Sequence, residues 1–235
     1  MISLLPTGAH IWPQMVQQSD EWFNARMGRP TASMFSMIIT PSTGKLSSSR
    51  LPLIHKLVGQ CFARDEVPKF TGSYWTDRGN ELEAAARATF AGDMGFAVDQ
   101  VGFVTNDRWG NVAGASPDGL IRPIDRKPYL GGMEIKCLMA QNHVAIWDEE
   151  KMPDEYKPQV HGGMAVTGLP YWWFVAYHPA MRPFYQKIEW DSYTDKVVAS
   201  LDLFIEEYAE KRKELKAKLK PSPVETGVEE EEALL

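Results

Sequence analysis

The period of the hydrophobic positions changes along this 235-residue chain. Over residues 51–62, Leu53, Leu57 and Cys61 recur every four positions, the spacing of an amphipathic helix. Upstream, Ser19-Asp20-Glu21 reads as a helix start leading into Trp22, Ala25 and Arg26. Gly28-Arg29-Pro30 ends that helix, and Thr31-Ala32-Ser33 opens another short one. Residues 74–90, rich in Ala and Glu, predict a further helix. Between residues 96 and 121 the period falls to two, through Phe96, Val98, Val101, Phe103, Val112, Ala113 and Ala115. That pattern predicts strands separated by a turn at Asn106-Asp107-Arg108-Trp109-Gly110. Helices are expected over 139–147 and 155–166, the second weakened by Gly162-Gly163. The aromatic run 171–177 and residues 184–190 read as strands, and 195–218 as a long amphipathic helix. Helices before and after a mixed sheet predict an α/β domain over 1–220. The acidic residues 221–235 hold too few apolar groups to pack and are expected to be disordered.

Composition narrows the class. At 44% hydrophobic and 24% charged the chain reads as an ordinary globular protein, large enough for one sizeable core. No apolar run reaches the length of a bilayer span, and the N-terminus lacks the basic region of a secretory signal. No membrane role is expected, and the location is expected to be cytoplasmic. Cys61 and Cys137 are too few for a disulfide framework and wrongly spaced for zinc, so both are expected as small core residues. The net charge of −6 does not announce an anionic ligand. Five of the 31 acids, Glu225 and Glu229 to Glu232, lie in the tail; without them the body is near neutral against 25 Lys and Arg. A local basic track from Arg26, Arg29, Lys45, Arg50, Arg78 and Lys157 is the alternative to bulk attraction.

The chemistry concentrates in Ala115-Ser116-Pro117-Asp118-Gly119-Leu120 and, downstream, Gly131-Gly132-Met133-Glu134-Ile135-Lys136. Residues two apart on a strand share a face, so Glu134 and Lys136 emerge together while Met133, Ile135 and Cys137 point into the core. If the Asp118 turn neighbours that strand, Asp118 and Glu134 can share a divalent cation, with Lys136 placed to position water and offset phosphoryl charge. Each half has an ordinary reading too: Pro-Asp-Gly is a common turn, and alternating Glu and Lys often form a solvated face. Glu83 and Arg87 are one helical turn apart, which suits an ion pair as well as a site. Gly44-Lys45 is not a phosphate-binding loop, because Leu46 replaces the required Ser or Thr.

Further motifs stand in the same order: Trp22 to Arg26 with Gly28 and Thr31-Ala32-Ser33, then Arg78-Gly79-Asn80-Glu81-Leu82-Glu83 with Arg87 and Phe90, and later Tyr156 with Gln159 and residues 171–179. With the two carboxylate motifs they make the chain resemble the phage lambda exonuclease family of YqaJ-like viral recombinases, within the PD-(D/E)xK nuclease superfamily. That resemblance implies a restriction-endonuclease-like α/β core with a central mixed sheet flanked by helices. It implies a Mg²⁺ ion, with Mn²⁺ able to substitute, held by Asp118, Glu134 and the Ile135 carbonyl, and Glu83 assisting at a second position. Lys136 would orient or activate the attacking water, and Gln159 would orient water or phosphate. Arg26, Thr31 and Ser33 match the family's contacts to a 5′-phosphate; the local alternative is a capped helix with Arg26 paired to Asp20 or Glu21. Trp75, beside Tyr74, is the candidate to stack on a DNA end, whereas Trp172 and Trp173 are expected in the core. The family further implies 5′-to-3′ digestion of double-stranded ends, a ring-shaped homotrimer, and a single-strand annealing protein as partner. Two other readings are an endonuclease of the same superfamily and a non-catalytic DNA-end-binding scaffold.

Overall fold

The computed structural model describes residues 5–12, 15–64 and 74–219, with side chains from Glu81 onward in the last stretch. The acidic tail and the Trp75 side chain lie outside the described residues.

The central sheet is mixed and has the order β2-β5-β6-β7-β8. Its strands are β2 (Ala97–Asp99), β5 (Gly119–Arg122), β6 (Gly131–Cys137), β7 (Tyr171–Tyr177) and β8 (Phe184–Glu189). Only β6 and β7 run parallel; the other pairs are antiparallel. A parallel pair needs a crossover, which the chain makes through α4 (Ala140–Glu149) and α5 (Lys157–Thr167).

Alternation along β6 sends its residues to two different cores. Met133 and Ile135 pack with Ala86 and Phe90 of α3 (Tyr74–Met94) and with Ile121 and Val175. On the opposite face Trp172 and Phe174 of β7 meet Val160 and Met164 of α5 and Phe35 from the 3₁₀ turn Ala32–Met37. Helices α2 (Arg50–Phe62) and α6 (Ser192–Lys218) pack beyond α5, α6 directly against it. Glu134 and Lys136 therefore face α5, and both faces of the sheet are covered.

Gly162 and Gly163 let α5 lie this close rather than weakening it. A Cβ at Gly162 would meet the Phe35 ring at 2.4 Å, and one at Gly163 would meet Trp172 at 2.7 Å. Trp172 is buried as expected, while Trp173 is only partly buried, edge-on to Phe90.

The period-two run departs from its simple reading. It divides between β2 of the main sheet and a second sheet of β1 (Ala9–Ile11), β3 (Val104–Asn106) and β4 (Gly114–Ala115). The break falls at Gly102, where a Cβ would stand 2.1 Å from the Met15 carbonyl oxygen. Residues 107–109 of the expected turn form a 3₁₀ helix. Helix α6 begins three residues earlier than the apolar pattern indicates, because Asp191 caps it by accepting from the Tyr193 and Thr194 N–H groups. Both cysteines are free thiols and half-buried; Cys137 packs at the edge of the core cluster around Phe90, whereas Cys61 belongs to neither cluster. No helix among the described residues is long and apolar enough to cross a membrane.

Candidate active site

Strand β5 starts opposite the middle of β6, with Gly119 paired to Met133. Beyond that point Asp118 continues the pairing. Its N–H donates to the Met133 carbonyl at 3.2 Å, and its Oδ2 accepts from the Ile135 N–H at 2.6 Å. The N–H and C=O of a strand residue point to the same side, so the Ile135 carbonyl is directed at the same gap as Asp118. Glu134, between Met133 and Ile135, points the other way toward α5. Its Oε1 accepts from Lys136 Nζ at 2.7 Å and from Gln159 Nε2 at 2.5 Å. Gln159 Oε1 closes the triangle by accepting from Lys136 Nζ at 3.2 Å.

Helix α3 brings Glu83 and Arg87 to the other side of the Asp118 turn. Arg87 Nη1 donates to the Asp118 carbonyl at 3.1 Å and lies 3.9 Å from Glu83 Oε2. The expected ion pair is thus loose, and the guanidinium also holds the turn.

The electrostatics are those of crowded carboxylates, Glu134 buried and Asp118 and Glu83 partly so. Burial first, then the neighbouring Asp118 charge, pushes Glu134 up to about 8. The same causes in the same order push Glu83 up to about 7. Asp118 is raised too, by burial, against the opposing Ile135 hydrogen bond and the charges of Lys136 and Arg87. Burial alone would lower Lys136, but the carboxylates outweigh it and hold the amine above the ordinary lysine range. Lys136 is therefore an ammonium, a donor rather than a proton acceptor.

These residues suit a hard divalent cation. Asp118 and Glu134 crowd together with only Lys136 paired to Glu134, and the Ile135 carbonyl is directed toward Asp118. Such oxygen donors leave room for water and phosphate. Among the described residues no three His, Cys, Asp or Glu side chains come together as a ready-made metal site, so the set is two carboxylates and a backbone carbonyl.

A cluster of donors adjoins the carboxylates. Arg26, on α1 (Asp20–Arg26), donates to Ser116 Oγ at 2.8 Å, Thr31 Oγ1 at 3.3 Å and Ser33 Oγ at 3.4 Å. Its guanidinium lies 4.1 Å from the Trp22 ring centre, and the Trp22 indole N–H donates to the same Ser116 hydroxyl at 2.9 Å. Burial lowers Arg26 to about 10, which still leaves it charged at neutral pH. It pairs with neither Asp20 nor Glu21. Thr31 does not cap the following turn with its side chain, and that turn is 3₁₀ rather than α.

Arg26, Ser33, Glu83, Asp118, Glu134, Ile135, Lys136 and Gln159 line one cleft of about 250 Å³. Thr31 lies behind it, fully buried. Of the broader basic track, the Arg78 side chain lies outside the described residues, and three other members are engaged away from the cleft. Arg50 pairs with Glu207 at 2.8 Å, Lys157 with Asp154 at 2.9 Å, and Arg29 donates to the carbonyls of Ala25 and Asn111. Ser116 and Gln17 are cleft residues that sequence reasoning left without a role. Ser116 stood next to the Pro-Asp turn and could have been suspected; nothing in the sequence marks Gln17.

Comparison with known proteins follows the same lines. The family profile described as the YqaJ-like viral recombinase domain matches residues 21–170. An alkaline exonuclease, LHK-Exo from Laribacter hongkongensis, superposes with a TM-score of 0.70 at 29% identity, over 85% of this chain and 97% of that one. The same exonuclease in complex with dAMP gives 0.71 at 29% identity, with the same coverage. A phage related exonuclease from Haemophilus somnus 129PT shares the fold, with a TM-score of 0.58 at 15% identity over 83% of this chain and 98% of that one. The common architecture is the restriction-endonuclease-like fold. No curated protein matches the chain significantly.

Proposed function

Because the chain belongs to the YqaJ-like viral recombinase family, we propose that it is a DNA exonuclease, dependent on a divalent cation, that degrades double-stranded ends from 5′ to 3′. The observation that supports this reading is the union, in one cleft, of the Asp118–Glu134–Lys136 constellation with the Arg26 cradle. Similarity to LHK-Exo, an alkaline exonuclease, supports it independently.

Asp118, Glu134 and the Ile135 carbonyl would hold Mg²⁺, or Mn²⁺ in its place, with Glu83 at a second position. Bound there, the cation supplies a Lewis acid for the phosphoryl oxygens and acidifies water. The remaining work belongs to the chain. Lys136, kept charged by Glu134, donates to the incoming water and to the phosphoryl oxygens as their charge grows. Gln159 fixes both Lys136 and Glu134, so the ammonium cannot swing away. Arg26 with Thr31, Ser33 and Ser116 would hold the terminal 5′-phosphate, because a guanidinium and hydroxyls offer several donors to one anion. The water oxygen gives up a proton to solvent as it bonds to phosphorus, the P–O3′ bond breaks, and the departing O3′ gains a proton. The products are a 5′-mononucleotide and a strand shortened by one, leaving a 3′ single-stranded overhang.

The family likeness further supports a homotrimer acting in the cytoplasm, that of the host cell if the chain is phage-encoded, beside a single-strand annealing protein. Duplex DNA labelled at its 5′ or 3′ end tests polarity. Early release of 5′-labelled mononucleotides is expected, whereas early release of 3′ label would overturn the polarity. Cutting of covalently closed circles would favour the endonuclease reading, and binding to ends without cleavage the scaffold.

A further inference from the structure

The segment preceding α1 is pressed onto the backbone that leads to Asp118. Met15 approaches Gly102 so closely that only glycine fits beneath its carbonyl, a Cβ there standing 2.1 Å from the oxygen. Gln18 takes a left-handed backbone, φ 70°, which turns the chain at this point. Between them Gln17 uses its side-chain amide as a clamp. Nε2 donates to the Val101 carbonyl and to the Pro117 carbonyl, at 2.8 Å each. An amide nitrogen carries two hydrogens, so both are spent on these two contacts.

The second contact falls on the residue immediately before Asp118. Successive residues of this turn are therefore held from different elements: Ser116 by Trp22 and Arg26, Pro117 by Gln17, Asp118 by Ile135 and Arg87. Gln17 is uncharged and lines the cleft. Strand pairing holds the chain on either side, at Val104–Ala115 and Asp99–Leu120, and the Trp22 indole bridges Gly102 and Ser116; at the Pro117 carbonyl itself the bond comes from Gln17.

Taking the nuclease reading as its premise, we infer that Gln17 is a positioning residue: it sets the Pro117–Asp118 turn against Val101 and thereby places the Asp118 carboxylate opposite Glu134 for divalent-cation binding. Loss of the clamp lets the turn relax, and cation affinity falls before DNA affinity does.

The test uses the full chain with Gln17→Met, which keeps the length without a donor, and Gln17→Glu, which turns oxygens toward both carbonyls. Mn²⁺ affinity is measured by calorimetry without DNA, alongside kcat and KM on linear duplex and melting in EDTA. In Gln17→Met the dissociation constant for Mn²⁺ is expected to rise about tenfold or more, the usual scale for a residue that orients a metal ligand. Turnover should fall at limiting Mn²⁺ and recover at saturation, with KM for DNA and the EDTA melting temperature little changed; Gln17→Glu should bind Mn²⁺ more weakly still. Unchanged Mn²⁺ affinity would overturn the inference. So would a fall in melting temperature with an activity loss that saturating Mn²⁺ does not restore, which marks a packing residue. A wild type that binds Mn²⁺ but cuts no DNA would sink the nuclease reading alone, because the calorimetric comparison still judges Gln17.

Discussion

Asp118 accepts a hydrogen bond at 2.6 Å from the backbone N–H of Ile135, the residue between Glu134 and Lys136. This bond ties the two halves of the candidate motif together with the geometry of a sheet. Where β5 runs out, a side chain takes over the pairing, and the carboxylate arrives beside the Ile135 carbonyl.

Two substitutions of Asp118 should therefore part company in stability. Asp118→Ala leaves the Ile135 N–H without its acceptor, a loss of about 1–3 kcal/mol for a buried donor. Asp118→Asn keeps an oxygen there and removes a charge that raises Glu134 and Glu83. Melting in EDTA at pH 8 is expected to rank Asn at or above wild type and Ala below it, with nuclease activity lost in both. A destabilised Asn variant would show that the carboxylate charge is compensated without metal.

The raised carboxylates also set a pH dependence for the metal-free protein. Folded Glu134 titrates near 8 and Glu83 near 7, both above the ordinary 4.5 of an unfolded chain. The folded state thus binds more protons between those values. Stability is fully present below about 4.5 and is lost as pH rises through 7 to 8, by on the order of a few kcal/mol. Denaturant melts in EDTA at pH 5.5, 7 and 8.5 should show the decline, and Mg²⁺ should raise stability most at pH 8.5. His161 runs the other way: burial lowers it to about 4, so its contribution is lost as pH falls from about 6.5 toward 4. The metal-free optimum is expected between the two arms. A flat profile above pH 6 would contradict the crowding of these groups.

Close packing of α5 gives a third test. Gly163→Ala would put a methyl group 2.7 Å from the Trp172 ring, which is fully packed and cannot yield. We expect a loss of about 1–3 kcal/mol, the usual scale of overpacking. Activity should fall further than stability, because Gln159 rides on the same helix. Chemical denaturation and kcat measured side by side check this. A variant with wild-type turnover would detach Gln159 from catalysis.

Much of this was legible in the sequence, for identifiable reasons. The strand period two placed Glu134 and Lys136 on one face, and the helical period placed Glu83 and Arg87 on another. Local chemistry was less informative about partners: a four-residue spacing could not tell that Arg87 donates to the Asp118 carbonyl as well as facing Glu83. Gly162-Gly163 read as a weakness because propensity is local, while the Phe35 and Trp172 rings that require the glycines come from elsewhere in the chain. Likewise Gly102 broke an apparent strand through a contact with Met15 that no periodicity records. Part of the basic track is engaged elsewhere: Arg50 by Glu207, which tertiary packing brings up, and Lys157 by Asp154, three residues before it.

Arg26 is expected to matter through its geometry as well as its charge. Arg26→Lys keeps the cation but cannot fan across Ser116, Thr31 and Ser33. Losing charge-assisted hydrogen bonds should cost roughly tenfold to a hundredfold in kcat/KM on 5′-phosphorylated duplex. Rates on 5′-hydroxyl ends should change little, so the preference between the two ends collapses. Equal losses on both ends would remove the phosphate from this cradle.

The most direct measurement is digestion of linear duplex DNA in Mg²⁺ or EDTA by wild type, Glu134→Gln and Lys136→Ala, with a covalently closed circle as control. The expected result is release of mononucleotides by wild type in Mg²⁺ alone, no attack on the circle, and loss of cleavage in both variants, each folded by circular dichroism. Undiminished cleavage by the two variants, or no cleavage by well-folded wild type in Mg²⁺ or Mn²⁺, would contradict the assignment of this cleft as the nuclease site.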